Sequence, residues 1–416
     1  MSKKWHKLDN ASKLFSAVAT EKNSAVFRVS ATLEKAIDRV ALQHVTDQVI
    51  QRFPGFGYTI KSGFFWNYLE QNPQKVKIEK ETPLIGAPFD LTSYDEHLIR
   101  VLYYHNKLSI EVSHIVSDGA GALEFFKVLL FYYLKEIGCQ LDDRSFLFKL
   151  NEEPKLEEWE DSFKRYATAE ETETCSLPNA YRLNGTSLRE VEVIHGTVSL
   201  TELKKCAASH DLNMTAFLAS LLIYSCYQTK VKETQTDDSV VVSIPVNLRG
   251  LFPSKTLTNF FGTITVEVKG TKELTLPDIC EVVRAQFKNR LTKENLQRMI
   301  NENVEMESKQ YSRLTPLVIK EQVMRLAFAK RGEQKKTLTF SNLGAFQVPQ
   351  ELQSHIKAIN VVSYPTSNVP INCCAISYND NMAITFVRNI SETDVIQYFF
   401  SYLSQSEKVR VEISTS

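Results

Sequence analysis

The chain of 416 residues carries 49 Lys plus Arg and 49 Asp plus Glu, so its formal net charge is zero. That balance supplies no long-range field to attract nucleic acid or an anionic membrane, and no nucleic-acid partner is expected. Hydrophobic residues at 43% and charged residues at 24% give an ordinary globular composition with ample material for a core.

Seven cysteines, at 139, 175, 206, 226, 280, 373 and 374, form no C-x-x-C pair. An odd count with two adjacent members fits free thiols in a reducing cytosol better than a disulfide framework. The opening residues MSKKWHKLDNASKLF contain no apolar h-region, so no secretory signal is expected. The strongest apolar run, 125–134, is interrupted by Lys127 and is far shorter than the roughly 20 residues of a membrane span. A soluble cytoplasmic protein is the expectation.

In chain order, apolar residues at helical spacing predict a helix over about 33–53, stopped by Pro54 and Gly55. Two β-like runs, 97–104 and 108–114, flank the short turn His105-Asn106-Lys107 and read as a hairpin. A strongly apolar helix follows over about 119–137. Residues 151–175 are acidic and poor in aliphatics, which predicts a solvated, partly helical connector between two halves.

The second half opens with a strand near 192–198. Ser199 and Glu202 have capping-box spacing for a helix reaching about 209, and another helix covers about 215–228. Strands are predicted at 239–246, 262–268, 337–341, 358–363, 371–378 and 382–388, with helices near 277–330, broken, and at 391–404. The mixture gives an α/β (α+β) architecture in two lobes, 1–175 and 176–416.

The segment Leu108 to Gly119 concentrates the chemistry. Alternation puts Leu108, Ile110, Val112 and His114 on one strand face. Asp118 and Gly119 then lead directly into the helix, Gly119 allowing tight backbone geometry. His114 is thereby placed beside the free N–H groups of a helix start. A neutral imidazole there can take a proton from an attacking hydroxyl or amine, and helix-start N–H groups can hold the resulting oxyanion. His44, His105 and His195 show no metal-ligand spacing with a second His or a carboxylate, and no metal site is expected. A G-x-S-x-G elbow is absent, which disfavours a serine hydrolase.

His114-x-x-x-Asp118-Gly119, followed by Ala120-Gly121-Ala122-Leu123-Glu124-Phe125-Phe126, resembles the H-x-x-x-D-G signature of the chloramphenicol acetyltransferase-like superfamily. Pro245-Val246-Asn247-Leu248-Arg249 with Asn259-Phe260-Phe261-Gly262 is similar to the D-x-R strand end and the Y-F-G-N stretch of that group. Phe340-Ser341-Asn342-Leu343-Gly344 resembles the S-N-L-G segment of its microbial alcohol acetyltransferase branch, as do Arg52-Phe53-Pro54 and Phe64-Phe65-Trp66. Two departures stand out. Ser113 occupies the position where peptide-synthetase condensation domains usually carry a second His, and the D-F-G-W-G motif of the plant enzymes is absent.

The resemblance implies a pseudo-dimer of two lobes with the active site in a channel between them, for which a monomer suffices. It implies His114 as general base and Asp118 as a structural residue paired with Arg249. Gly119 would offer a backbone N–H to the oxyanion, and Ser341 and Asn342 would line the channel. The reaction implied moves an acyl group, acetyl above all, from a CoA thioester to a small alcohol or amine, with no covalent intermediate and no cofactor beyond the acyl-CoA co-substrate. The rival readings are a free-standing condensation-like protein using an acyl carrier protein and a non-catalytic binding protein on the same scaffold.

Overall fold

In the computed structural model, which describes residues 5–142, 148–169, 179–232, 234, 238–270, 273–308 and 315–415, the predicted hairpin pairs strands Ile99–Tyr104 and Lys107–Ser113. His105 makes the turn with φ at 50°, in the left-handed region. Lys107–Ser113 lies in the middle of a five-stranded sheet, ordered Ile356–Val362, Val26–Leu33, Lys107–Ser113, Ile99–Tyr104 and Ile78–Lys80. Its neighbours on both sides are antiparallel. Helices Arg39–Arg52 and Gly119–Glu136 pack together and contribute to the same core. The apolar run at 125–134 is therefore a core helix. Among the described residues no single helix is long and apolar enough to cross a membrane.

Both faces of the central strand are buried. Ile110 and Val112 sit in the apolar core, while Ser109 and Glu111 on the opposite face are at most 1% exposed. Glu111 is buried among donors: Arg28 Nη2 at 2.7 Å, Arg100 Nη1 at 3.2 Å and the Gly86 N–H at 2.6 Å. A buried carboxylate is tolerated only with such partners.

The second sheet has seven strands in the order Phe261–Lys269, Ser239–Asn247, Leu338–Ala345, Ile371–Tyr378, Asn381–Ile390, Ser187–Ser199 and Val411–Thr415. Leu338–Ala345 runs parallel to both neighbours, and the remaining pairs are antiparallel. A third sheet of three strands joins Trp5–Lys7, Asn67–Gln71 and Tyr58–Ser62. Helices Leu200–Ser209, Met214–Cys226, Leu276–Arg290 and Asp394–Gln405 supply apolar residues to the second core.

Two features tie the halves together. Strand Ile356–Val362, from the second half of the chain, completes the edge of the first-half sheet by pairing with Val26–Leu33. A boundary at residue 175 is therefore crossed by main-chain hydrogen bonds. Strand Ile371–Tyr378 alternates between the two cores: Cys374, Ile376 and Tyr378 join the first, and Ile371, Cys373 and Ala375 the second. Adjacent Cys373 and Cys374 thus point to opposite faces. The six described cysteines are free thiols, and Cys175 lies outside the described residues.

The acidic connector differs from its expectation as a solvated surface. Glu158 is 1% exposed and receives both terminal nitrogens of buried Arg52 at 2.7 Å. Trp159 fills the space beside Gly55, where an added Cβ would lie 2.0 Å from the indole ring. Composition read locally shows only charge; the Arg52 partner, 106 residues earlier, turns one of those charges inward. Residues 170–175 of the connector lie outside the described residues.

Candidate active site

His114 follows the last residue of strand Lys107–Ser113. Its N–H donates to the Ala25 carbonyl at 2.9 Å, continuing the ladder one step beyond the strand. The next residues turn tightly. The Ser113 carbonyl accepts from Val116 N at 2.9 Å, and the Ser113 Oγ accepts from Ile115 N at 3.2 Å. The position where condensation domains carry an additional His is thus occupied by a buried hydroxyl that holds the turn.

The imidazole sits where the two lobes meet. It stacks on Phe15 at 4.6 Å and lies 4.7 Å from Phe27, both from the first half. Phe261 at 6.2 Å and Tyr364 at 6.0 Å approach from the second half. The residue is half-buried, not sealed in core. Its Nδ1 is fully buried without a hydrogen-bond partner. Burial lowers the ring pKa to about 4, with the Asp118 charge working in the opposite direction. His114 is therefore neutral near pH 7 and competent as a proton acceptor, though a weak one. Two surface pockets, one lined by Leu33, Leu134, Cys139 and His355 and the other by Thr59, Tyr68, Glu70 and Tyr94, do not border it.

Asp118 caps the Gly119–Glu136 helix, its Oδ1 accepting from Gly121 N at 2.9 Å. The carboxylate also takes Arg249 Nη1 at 2.8 Å, Arg249 Nη2 at 3.1 Å and the Phe260 N–H at 2.8 Å. Arg249 spends its other donors on the carbonyls of Thr256 at 3.0 Å and Thr258 at 2.7 Å. One guanidinium thereby shapes the 256–260 loop and fastens it to the helix start.

That loop returns to His114. Asn259 donates through Nδ2 to the His114 carbonyl at 2.8 Å. The same side chain and its own N–H reach Asp9 at 3.1 Å, and Asp9 caps helix Asn10–Val18, which carries Phe15. Burial pushes the Asp9 carboxyl up to about 6. Asn259 lay within a recognised motif but carried no assigned role. Asp9 lay in a stretch with no predicted element, and its partner is 250 residues away. A short Asp-x-x-Ser run before an apolar segment is the one local signal that could have marked the Asn10–Val18 helix.

Of the two nearby glycines, Gly121 is the one that space requires. A Cβ there would lie 2.1 Å from the Leu257 carbonyl oxygen and 2.4 Å from Ser117 Oγ. At Gly119 the nearest atom would be Leu343 Cδ2 at 3.0 Å, and no positive φ is needed, so the tight geometry expected at Gly119 belongs instead two residues on. The Gly119 and Ala120 N–H groups, at the first two helical positions, have no carbonyl partner within their helix.

Ser341 and Asn342 lie on strand Leu338–Ala345. Asn342 donates to Thr215 Oγ1 at 2.9 Å and accepts from Gly344 N at 3.0 Å, forming the turn where Gly344 adopts φ of 75°. The member of this segment that meets the turn after His114 is Leu343, against Gly119.

No family model matches the chain, and no curated protein matches its sequence. Solved structures do. Polyketide synthase associated protein 5 from Mycobacterium tuberculosis superposes with a TM-score of 0.66 at 14% identity, covering 96% of this chain and 97% of its own. TRI101 of F. graminearum, solved with coenzyme A and T-2 mycotoxin, gives 0.65 at 10% identity over 98% and 99%. The epimerization domain of tyrocidine synthetase B gives 0.61 at 12% identity over 98% and 97%. The chain shares with these proteins the two-lobed chloramphenicol acetyltransferase-like fold. Within that fold, His114 occupies the junction of the two lobes, and Asp118 and Arg249 brace it from opposite halves of the chain.

Proposed function

We propose that the protein is an acyltransferase in which His114 removes the proton from an acceptor hydroxyl or amine as it attacks an acyl thioester. The observation that carries this reading is a neutral, half-buried imidazole at the lobe junction, one short turn before the Asp118-capped start of helix Gly119–Glu136. With Nδ1 buried, Nε2 is the nitrogen that meets substrate, and Nδ1 then carries the ring hydrogen. Support comes from neighbours on the same fold: TRI101 holds coenzyme A and T-2 mycotoxin, TRI3 is a trichothecene 15-O-acetyltransferase, and a starter condensation domain of rhizomide synthetase holds C8-CoA.

In the proposed step the acceptor proton passes to Nε2 while the acceptor oxygen or nitrogen bonds to the thioester carbon. The carbonyl electron pair moves onto oxygen, which the Gly119 N–H at the helix start would stabilise. Collapse of this intermediate expels the thiolate, which recovers the proton from the imidazolium. The thioester is already activated, so the step requires neither metal nor covalent enzyme intermediate. We assign acetyl-CoA or another acyl-CoA as donor, an alcohol as the favoured acceptor, a monomer as the working unit and the cytoplasm as its place.

The test is thiol release from acetyl-CoA in the presence of an alcohol panel. Wild type should turn over and His114→Ala should be slower by about 10²–10⁴-fold with unchanged folding, the usual range for one general base. A mutant at the wild-type rate overturns the mechanism. Binding of free coenzyme A, read as a thermal shift, separates a CoA donor from a carrier-protein donor.

A further inference from the structure

Away from His114, the second lobe brings together three side chains that a metal ion could share. Cys206 lies on helix Leu200–Ser209, and His210 is the residue that ends it. Four residues apart on a helix, they fall on one face, the spacing by which helices present paired metal ligands. Glu407 follows helix Asp394–Gln405, and its N–H is held by the Tyr402 carbonyl at 3.2 Å. The Cys206 Sγ donates to Glu407 Oε2 at 3.1 Å, and His210 Nε2 lies 3.0 Å from Glu407 Oε1. All three ligand atoms lie within 4.8 Å of one another.

From this geometry we infer that Cys206, His210 and Glu407 form a binding site for a single divalent transition-metal ion, zinc above all. Zinc takes Cys at about 2.3 Å and His or Glu at about 2.0 Å in a tetrahedron, which sets S···O near about 3.5 Å and N···O near about 3.3 Å. The contacts to the two Glu407 oxygens, at 3.1 and 3.0 Å, would open by a few tenths of an ångström, and the sulfur and nitrogen, already within 4.8 Å of each other, would close on the same ion. A sulfur–nitrogen–oxygen donor set suits zinc and disfavours magnesium or calcium, which prefer oxygen alone. Three protein ligands leave the fourth corner to a water.

The surroundings are built for the purpose. The His210 ring is fixed by stacking on buried Phe217 at 5.2 Å. Cys206 is 7% exposed, and the His210 and Glu407 side chains are 17% and 15% exposed. The Cys206 sulfur faces Glu407 Oε2 as a hydrogen-bond donor, that is, as a thiol. Binding breaks the S–H bond, forms the zinc–sulfur bond and releases the proton to solvent. Arg284 lies nearby but directs its guanidinium to the His210 and Asp211 carbonyls and the Asp211 carboxylate, away from the three ligand atoms. The ion would fasten the turn after the last helix to helix Leu200–Ser209, reinforcing the contact of Arg410 N with Glu202 Oε2 at 2.9 Å.

The experiment strips the full-length protein with a chelator, reloads it with zinc chloride, desalts it and measures metal content. Wild type and His114→Ala should each retain about one equivalent and melt at a higher temperature when loaded. Cys206→Ser, His210→Gln and Glu407→Gln should each lose it. Cobalt substituted into wild type should give a thiolate-to-metal charge-transfer band, a readout that depends on no variant folding. Absence of that band, absence of retained zinc in wild type, or equal retention in the three variants would overturn the site.

Discussion

Arg249 and Asp118, 131 residues apart in sequence, meet as a two-point ion pair with both guanidinium ends on the two carboxylate oxygens, at 2.8 and 3.1 Å. The Asp118 side chain is 6% exposed and that of Arg249 14%. One contact therefore links the helix after His114 to the strand end and loop of the other lobe.

Breaking it should be costly. Asp118→Ala leaves a largely buried guanidinium unpaired and removes the helix cap, and a loss of about 3–5 kcal/mol is expected from the pair alone. Asp118→Asn keeps a cap and should be milder, yet it should still reduce soluble yield and rate together. Urea midpoints with thiol-release rates check this; an Asp118→Asn protein with unchanged melting and full activity would contradict it.

Asn259 donates to the His114 carbonyl, so in the proposed mechanism it would position the base. Asn259→Ala should reduce kcat by about 10–100-fold, the scale of a small misplacement of a reacting group, while KM stays near its wild-type value. A purely structural role would instead lower the melting temperature and leave the rate per folded molecule intact.

The two glycines at the helix start should behave differently. Gly121→Ala drives a Cβ into the Leu257 carbonyl, a main-chain atom already bonded to Ser117 Oγ at 2.6 Å. A loss of about 1–3 kcal/mol is expected, as for other overpacked sites, with a fall in activity. Gly119→Ala meets only the end of the Leu343 side chain and should be close to neutral in stability. Thermal melts of the two variants decide the contrast.

Acid should weaken the fold through two half-buried histidines. Burial lowers both His114 and His195 to about 4, from an unfolded value of 6.5. The unfolded chain then binds protons more readily, so stability present above pH 6.5 is lost as pH falls toward about 4. Asp9 works in the opposite sense. With its carboxyl raised from 3.8 to about 6, the stability it contributes is lost as pH rises through that interval. The histidines outnumber it, and a net loss on acidification is expected. His195→Gln should flatten the slope between about pH 7 and about pH 4.5, and Asp9→Asn should steepen it, as read by urea denaturation.

What the sequence determined by itself was set by local chemistry. Alternation predicted the hairpin over 97–104 and 108–114, found as Ile99–Tyr104 and Lys107–Ser113. The helix predicted over about 33–53 begins only at Arg39, and that over about 119–137 is Gly119–Glu136. The order of the H-x-x-x-D-G, Arg249 and S-N-L-G segments pointed to the fold. His114 and its neighbours could be named because they lie in one continuous run. The short strands Trp5–Lys7, Tyr58–Ser62 and Asn67–Gln71 and the long Val26–Leu33 were not drawn, since pairing partners rather than periodicity make them strands.

Only the tertiary structure decided the rest. Asp9 with Asn259 at the back of the His114 turn, Glu158 against Arg52, and Glu407 against Cys206 and His210 each join residues 106 to 250 positions apart. A charge or a thiol acquires its role from what burial places opposite it, and no local pattern records that partner.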